Sequence, residues 1–546
     1  MQPACHPALR PLPQAVPIRP VVQTTRPLLI ENGGKHPAEF RICRIDGTFR
    51  PVFCLDHGRP GAMTAMSTTT EIPEPDTESP TSRPRLAHLR ERFGPMAPHL
   101  LLGAVFCAVW IVLSVARYER FGAQEWDLAI FTQGVRGYAH FGAPISDIKG
   151  PGFNLLGDHF SPIIATIAPF YRLFPSAVTL LVAQAVLFAA SVTVVSSTAE
   201  LVLTRAKGLA VGLAYGLSWG LQRAVDADFH EIAFAVPLMA VVMRQLMLRR
   251  WNRAAWWSLP LLLVKEDMGL SVAAVGVLLL LNRRWQLGSV LVSGGIAAIS
   301  VTVYRIIPWF ATDHHYAYFS NLPGGSATHV HLGSLFLGLV WPTVKWRTLG
   351  WIFGITALLC LRSPLVLMAV PTLGWRFASA NTAYWGTAWH YNAVLMPIVF
   401  LAAVDGAVRL DTSRWAWARS YARQAAPLMA GVAVAISVSM SLTLSELADP
   451  STYPSGPHVA ALRAADRLIP SGATVETGNP QLAALASRCT VFWPGGDPVP
   501  PQYITLDLTW WNPGMTPVAY AEMAHRGAVY VETFDQQQVV VLHRVS

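Results

Sequence analysis

Long apolar runs separated by short basic segments are the feature that most restricts how this chain can fold. The runs occupy much of residues 99–443 and include 176–203, 254–281 and 287–310. Only 13% of the residues are charged, about half the fraction of a typical soluble protein, which excludes a set of water-soluble domains. Some runs are interrupted by proline or fall short of the ~20 residues that a straight membrane crossing needs. We therefore predict a polytopic α-helical membrane protein with about 9–11 spans, some of them broken or re-entrant.

The distribution of positive charge predicts the orientation of the protein. Arginines within 83–92 precede the first run, and further basic clusters follow at 205–207, 249–253, 283–284, 345–347 and 409–423. Cytoplasmic loops are rich in Lys and Arg, and all of these clusters fit one side of the membrane. We expect a multi-pass protein of the plasma membrane with a cytoplasmic N-terminus. Because the net charge of +9 is dispersed over short loops, the expected partner is the lipid bilayer and not nucleic acid.

The two ends of the chain differ in composition from the apolar region, residues 97–443. Residues 1–96 are rich in proline and polar residues and are predicted to be disordered and cytoplasmic; 1–62 are either a mis-called start or a leader that is made. In residues 444–546, helix-like segments separate strand-like runs at 473–478, 491–494, 503–509, 529–534 and 539–545. This alternation predicts a small extracytoplasmic α/β domain.

Three consecutive ionisable residues, Lys265, Glu266 and Asp267, interrupt an apolar run that has basic clusters on both sides. Each arm of the run is too short to cross the membrane alone, which predicts a hairpin with its charged tip inside the membrane. Charges at that depth are usually functional, because they are expensive unless they face water or one another. The alternative is a Lys–acid pair that only joins two helices.

The predicted first outer loop, residues 118–162, is long and aromatic and contains an amphipathic helix around WDLAIFTQGVRGY. Glu125 and Asp127 flank Trp126 at the start of that helix, and Asp158 and His159 stand at the far end of the loop. Paired carboxylates can bind a divalent cation such as Mg²⁺ or Mn²⁺, or one of them can act as a general base. Alternatively, both are acids placed favourably at a helix N-terminus.

The same outer face is predicted to collect further candidate residues from distant segments. They are His230, Glu231 and His390, together with basic residues that can clamp a phosphate or pair with the acids, namely Arg136, Lys149 and Arg305.

Several segments resemble the domain of unknown function 2079 family of predicted bacterial membrane proteins. They include EWDLAIFTQGVRGYAHFG, LGDHFSPIIATIAPFYRLFPS, DADFHEIAFAVPL, LLLVKEDMGL and WHYNAVLMPIVFLAA. That family is similar to the GT-C superfamily of glycosyltransferases, which take sugar from a polyprenyl-phosphate donor and have an acidic motif in a large first outer loop. The resemblance implies a GT-C-like fold, in which Glu125-Trp126-Asp127 matches the ExD form of the motif, with Asp127 catalytic and Glu125 supporting it.

Three functions are consistent with these observations. The first is a membrane glycosyltransferase that acts on a cell-envelope acceptor at the outer face. The second is a transporter or lipid flippase, for which intramembrane charges and broken helices are equally suitable. The third is a non-catalytic component of cell-envelope assembly.

Overall fold

The protein is described by a computed structural model that covers residues 44–45, 48–49, 95–122, 126–321, 341–495 and 499–546. The chain divides into two compact units, Met1–Ser82 and Arg83–Ser546. In the first unit, strand β1 (Arg44–Ile45) pairs antiparallel with β2 (Thr48–Phe49). The predicted disorder of residues 1–96 falls almost entirely outside the described residues and stays a prediction.

The second unit is mostly helical, as the apolar runs predict. Its α-helices in chain order are α1 (Ala97–Glu119), α2 (Asp127–Ala139), α3 (Ala168–Leu173), α4 (Ala177–Glu200), α5 (Arg205–Gly216), α6 (Trp219–Asp226), α7 (Ala235–Met247), α8 (Trp251–Ser258), α9 (Met268–Leu281), α10 (Trp285–Val301), α11 (Ile307–Phe310), α12 (Thr343–Gly354), α13 (Val370–Ala378), α14 (Leu395–Asp411), α15 (Ala416–Arg423), α16 (Ala425–Ser439), α17 (Pro457–Leu468), α18 (Asn479–Ala486) and α19 (Pro517–Ala524).

Among the described residues, four helical stretches are long and apolar enough to cross a membrane. They are Ala97–Glu119, Ala177–Glu200, Trp285–Phe310 and His390–Asp411. Helices α15 and α16 make a fifth if they count as one span, although they are bent by 60°. Shorter apolar helices occur at Met268–Leu281 and Pro364–Ala378. Broken helices are therefore confirmed as a feature of the fold, whereas the predicted 9–11 crossings and their orientation stay predictions.

The helix breaks coincide with prolines, which lack the N–H that a helix interior needs. The Leu259–Leu263 segment contains Pro260 and is a 3₁₀-helix that ends just before Lys265. The long helix that begins at Trp285 passes through a π-helical segment, Thr302–Ile306, shortly before Pro308. The break that the Lys265–Asp267 charges predict is thus present between Leu263 and Met268.

Helices α9 and α10 form a hairpin that packs through glycine. A Cβ added at Gly276 would lie 2.7 Å from the Gly288 carbonyl oxygen, and one at Gly295 would overlap the Gly269 carbonyl oxygen. Small residues let membrane helices approach this closely, so the hairpin behind Asp267 is tightly packed.

The C-terminal residues form the predicted α/β domain around a five-stranded sheet. Its strands are β3 (Thr474–Thr477), β4 (Thr490–Phe492), β5 (Tyr503–Asp507), β6 (Tyr530–Gln536) and β7 (Val539–Arg544). The order is β4-β3-β5-β7-β6, with β3 parallel to both β4 and β5 and the last two pairs antiparallel.

The two faces of this sheet belong to different cores. Val475 and Val541 share one core with helices α17 and α18 and with Leu128 of α2. Ile504 and Leu542, on the other face, pack against α19. The sheet therefore buries one face against the helix that begins at Asp127.

Candidate functional site

A cavity of about 480 Å³ brings together most of the predicted site residues, which come from widely separated parts of the chain. This volume is within the roughly 300–1,000 Å³ range of small-molecule sites. The predicted residues that line it are Asp127, Asp158, His159, His230, Glu231, Lys265, Glu266, Asp267 and His390. These nine residues therefore lie around one pocket, and whether they form a functional site stays a prediction.

Asp127 is the first residue of α2, where an acid is favoured by the helix dipole. Most of the following residues of α2, including Leu128, Ile130 and Val135, are buried. The helix is therefore held in place by packing against the rest of the protein, and its predicted position at the membrane interface stays a prediction. The Asp127 carboxylate is partly exposed to the cavity, and its Oδ2 lies 3.7 Å from Nε2 of His230.

His230 and His390 form a stacked pair next to Asp127. Their ring centroids are 3.6 Å apart with an interplanar angle of 28°, and both residues are buried. Trp389, just before His390, has φ 64° and ψ −176°, a conformation that is strained for any residue except glycine. Such strain persists only when the surroundings enforce it and is concentrated at functional sites.

The loop that precedes His390 is held by the buried guanidinium of Arg376. It donates three hydrogen bonds of 2.8 Å, to the Tyr384 and Gly386 carbonyl oxygens and to Oδ1 of Asn392. Arg376 thus positions the loop that carries His390, without lining the cavity itself.

Two ion pairs join the helix break at Lys265 to other segments. Lys265 Nζ donates to Glu231 Oε1 at 2.7 Å, and His159 Nδ1 lies 2.7 Å from Glu266 Oε1. The phenol of Tyr316 also donates to Glu266, at 2.9 Å. Lys265 and Glu266 are therefore compensated by partners from three other segments, as buried charges require, whereas Oδ1 of Asp267 is buried without a hydrogen-bond partner among the described residues.

A second group of contacts surrounds Asp158 at the end of the first loop. Lys149 donates to one carboxylate oxygen, and Tyr318 donates to the other at 2.9 Å. Burial acts to raise the pKa of Asp158, but His159, Lys149 and Tyr318 outweigh it and lower that pKa below the usual value. Burial acts to lower the pKa of His159, but the Glu266 carboxylate outweighs it and raises that pKa. Opposite charges on this pair of residues are therefore stabilised.

Carboxylates outnumber lysines among the described residues that line the cavity. The carboxylates are Asp127, Asp158, Glu231, Glu266 and Asp267, and the lysines are Lys149 and Lys265. Each lysine already pairs with a carboxylate, so the lining carries excess negative charge when its histidines are neutral.

Part of the cavity wall is apolar. It is formed by Leu270 of α9, Ile299 of α10, and Val303, Tyr304 and Phe319. Tyr304 is 62% exposed on a helix long and apolar enough to cross a membrane. The cavity thus combines ionised groups with an apolar wall that includes residues of a potential membrane span.

Three predicted residues are not placed at the cavity. Arg136 donates to the Cys489 carbonyl oxygen at 2.7 Å, so it joins α2 to the C-terminal domain. Arg305 is exposed on the π-helical segment, and neither arginine is among the described residues that line the cavity. Their expected contact with a phosphate there is corrected. Glu125 lies outside the described residues.

The predicted cation site at Glu125 and Asp127 stays a prediction, because residues 123–125 are outside the described ranges. Within those ranges no group of three or more His, Cys, Asp or Glu side chains could hold a metal ion. Asp226, four residues before His230, accepts a 2.5 Å hydrogen bond from Arg117.

The tyrosines Tyr316 and Tyr318 were missed by the sequence analysis. Both line the cavity and donate to carboxylates. Burial and the adjacent carboxylates raise the pKa of both phenols, which keeps them neutral donors. Their signal was the aromatic segment HHYAYF directly after a proline-broken helix.

Comparison with solved structures finds a distant likeness to ArnT from Cupriavidus metallidurans. The crystal structure bound to undecaprenyl phosphate matches with 14% identity and a TM-score of 0.46, covering 81% of this chain and 97% of that chain. The apo structure matches with the same identity and coverage and a TM-score of 0.39. No curated protein matches the sequence.

Comparison with protein families gives a match over most of the chain. The model of the family described as "Predicted membrane protein (DUF2079)" matches residues 117–508, which include every described residue of the cavity. The chain therefore belongs to the DUF2079 family of predicted membrane proteins.

Proposed function

We propose that the cavity is the active site of a membrane glycosyltransferase of the GT-C kind, which transfers a sugar from a polyprenyl-phosphate donor to a cell-envelope acceptor on the outer face. The observation that carries the proposal is the position of Asp127. Its carboxylate is open to a cavity that also has an apolar wall beside a potential span. Such a cavity suits a donor with a polar head and a long hydrocarbon chain.

In this reaction Asp127 acts as the general base for the acceptor hydroxyl. The acceptor oxygen forms a bond to the anomeric carbon of the sugar, and the bond from that carbon to the phosphate oxygen breaks. The proton goes to Asp127, and polyprenyl phosphate leaves with the electron pair. His230, 3.7 Å from Asp127, is placed to stabilise the carboxylate before the reaction.

The donor phosphate would be recognised by the lysines of the cavity. Lys149 and Lys265 are the lysines among its described lining residues, and together with protonated His159 they can stabilise the negative charge of the leaving phosphate. The polyprenyl chain would lie along the apolar wall near Ile299 and Val303.

A divalent cation, Mg²⁺ or Mn²⁺, is part of this proposal. Glu125 and Asp127 would hold it, and when bound it would neutralise charge on the donor phosphate. The Asp127 side chain is 28% exposed, so it is open to such a ligand. Chelation with EDTA followed by separate addition of Mg²⁺ and Mn²⁺ to a transfer assay measures whether the cation is needed.

The assay supplies membranes with polyprenyl phosphate linked to radiolabelled glucose or mannose and measures label in the acceptor fraction. Asp127→Asn should lower transfer by at least 100-fold, the lower end of what general-base catalysis contributes (about 10²–10⁴-fold). Asp147→Asn is the matched control, because Asp147 lies in the same loop, does not line the cavity among the described residues, and accepts a hydrogen bond from the Gly152 N–H at 2.8 Å through its side chain. Unchanged transfer by the Asp127 variant, at a normal protein level, would contradict the proposal.

A transporter is the second candidate, and the ion pairs at the helix break favour it. Lys265, Glu231 and Glu266 are ionisable groups at a break between helices, as in proton-coupled pathways. An assay with proteoliposomes that contain a pH-sensitive dye distinguishes a transporter from a glycosyltransferase. A transporter would move protons when a lipid-linked sugar is added, and a glycosyltransferase would not.

A further inference from the structure

Three tryptophans form a continuous chain from the cavity to the C-terminal domain. The rings of Trp126 and Trp493 are 5.2 Å apart at 69°, and those of Trp493 and Trp510 are 5.7 Å apart at 86°. Trp126 lines the cavity directly before Asp127. The indoles of Trp126 and Trp510 are 37% and 42% exposed, so an aromatic surface extends outward from the cavity.

This surface lies at the carboxyl edge of the parallel strands. Trp493 follows β4, Trp510 follows β5, and Gly478 follows the central strand β3. From β3 the chain goes to β4 on one side and then crosses to β5 on the other, so the strand order reverses at β3. The helices that follow, α18 and α19, pack on opposite faces of the sheet. Open sheets bind ligands in the crevice at such a switch point.

The conformation of this edge of the sheet is fixed by a glycine and by a hydrogen bond from a backbone N–H. A Cβ at Gly478 would overlap the Trp510 indole, so glycine is what allows the ring to lie over the end of β3. The segment after Trp493 is tied down by the Gly495 N–H, which donates to Glu476 Oε2 at 3.3 Å.

Glu476 is itself fully buried and held from the other side of the sheet. It accepts a 2.6 Å hydrogen bond from the Tyr520 hydroxyl, and it lies 2.9 Å from His525 Nε2. A rigid aromatic surface loses little entropy when it binds a ligand.

The chemistry of the surface fits a saccharide. One face of a pyranose ring presents C–H groups that pack on an indole, whereas its hydroxyls need polar partners. Thr509, next to Trp510, is exposed; its hydroxyl donates to Asp507 Oδ1 at 2.6 Å and can still accept a hydrogen bond from a sugar hydroxyl. Asp127 supplies a carboxylate at the opposite end.

We propose that Trp126, Trp493 and Trp510 form the binding site of the acceptor, and that the acceptor is a saccharide. Its rings would stack along the tryptophans and bring a terminal hydroxyl to Asp127. Its role as the acceptor site rests on the function proposed above; saccharide binding as such does not.

The test measures binding by the full-length protein in lipid nanodiscs, without donor. Maltotetraose, cellotetraose and laminaritetraose are titrated by calorimetry, because stacking reads C–H faces and tolerates changes of linkage. We expect at least one to bind, and Trp510→Ala or Gly478→Ala to raise its Kd about ten-fold, as removal of one stacking partner does at aromatic surfaces. Trp511→Phe is the matched control, since Trp511 packs on Tyr520 at a ring distance of 5.0 Å.

Each outcome of these titrations either supports or contradicts the proposed saccharide site. Failure of all three sugars to bind, or equal Kd values for wild type and Trp510→Ala, would overturn the proposal. Displacement of a bound sugar by polyprenyl phosphate alone would assign the surface to the donor lipid and also overturn it. Binding is measured without donor and transfer is measured with donor, so loss of binding and loss of transfer are separate results.

Discussion

The protonation state of His159 affects the ion pair that this residue forms with Glu266 in the cavity. Its Nδ1 meets a Glu266 carboxylate that is almost fully buried, and its ring stacks on Tyr318 with centroids 4.5 Å apart. Glu266 therefore raises the pKa of His159 against the opposing effect of burial. A histidine with a raised pKa stabilises the folded state while it is charged.

We predict that His159→Gln lowers the melting temperature more in acid than in alkaline buffer. The ion pair contributes fully below the unfolded pKa of 6.5 and is lost as the pH rises through the higher folded value. Thermal unfolding of both proteins, measured between pH 5.5 and 9, should therefore show a difference that shrinks with pH. A difference that is constant over this range would contradict the prediction, with His140→Gln as the exposed control.

The Lys265–Glu231 ion pair allows a second prediction about stability at the residue scale. Glu231 is 2% exposed, so Lys265→Met leaves a buried carboxylate without its cation, which costs about 3–5 kcal/mol. The double variant Lys265→Met/Glu231→Gln should recover part of that stability, because it removes both charges. Melting temperatures of the three proteins measure this. A double variant that is no more stable than the single one would show that the pair is not coupled.

At the scale of elements, glycine determines how closely α9 and α10 pack. A Cβ at Gly295 would overlap the Gly269 carbonyl oxygen and lie 2.8 Å from the Ala273 nitrogen, whereas a Cβ at Gly294 meets nothing within 4 Å. Gly295 therefore has no room for a larger side chain, whereas its neighbour Gly294 in the same helix does.

We therefore expect Gly295→Ala to destabilise the protein by about 1–3 kcal/mol, the usual result of overpacking. Gly294→Ala should be neutral or slightly stabilising, because alanine favours helix. The midpoint of thermal unfolding in detergent measures both effects, and a similar loss in the two variants would exclude close packing as the cause.

The elements also show how far the sequence predicts this protein. The break at Lys265–Asp267 could be predicted because three charges interrupt an apolar run whose two arms are each too short to cross a membrane. The five C-terminal strands could be predicted from short apolar runs between helical segments. The direction in which Arg305 points could not be predicted from the sequence, because the π-helical segment Thr302–Ile306 changes which side of the helix this residue occupies. The hydrogen bonds of Tyr316 and Tyr318 could not be predicted either, because they depend on the tertiary structure.

At the scale of the whole molecule, the C-terminal domain and the first loop share one hydrophobic core. Leu128, Ile130 and Val135 of α2 pack in the same cluster as Val475 and Val541 of the sheet. Arg136 adds a hydrogen bond to the Cys489 carbonyl oxygen, and Gln133 donates to the Val491 carbonyl oxygen at 3.2 Å. The sheet therefore supports the helix that begins at Asp127.

We predict that Arg136→Ala loosens this contact. Limited proteolysis should release a fragment near residues 444–546 several times faster than from the wild type, because two polar contacts to the C-terminal domain, at the end of α18 and just before β4, are lost. Arg172→Ala is the control, since Arg172 is exposed and lies over Phe141 at 4.6 Å. Equal rates of cleavage in the Arg136 variant and the wild type would contradict the prediction.

The shared core has a consequence for biosynthesis. The apolar face of α2 emerges early from the ribosome, but α18, which contacts α2, and the strands that share its core are among the last segments to be translated. Helix α2 can therefore complete its packing only after the C-terminal domain has been made, and a prematurely terminated product would expose the apolar face of this helix.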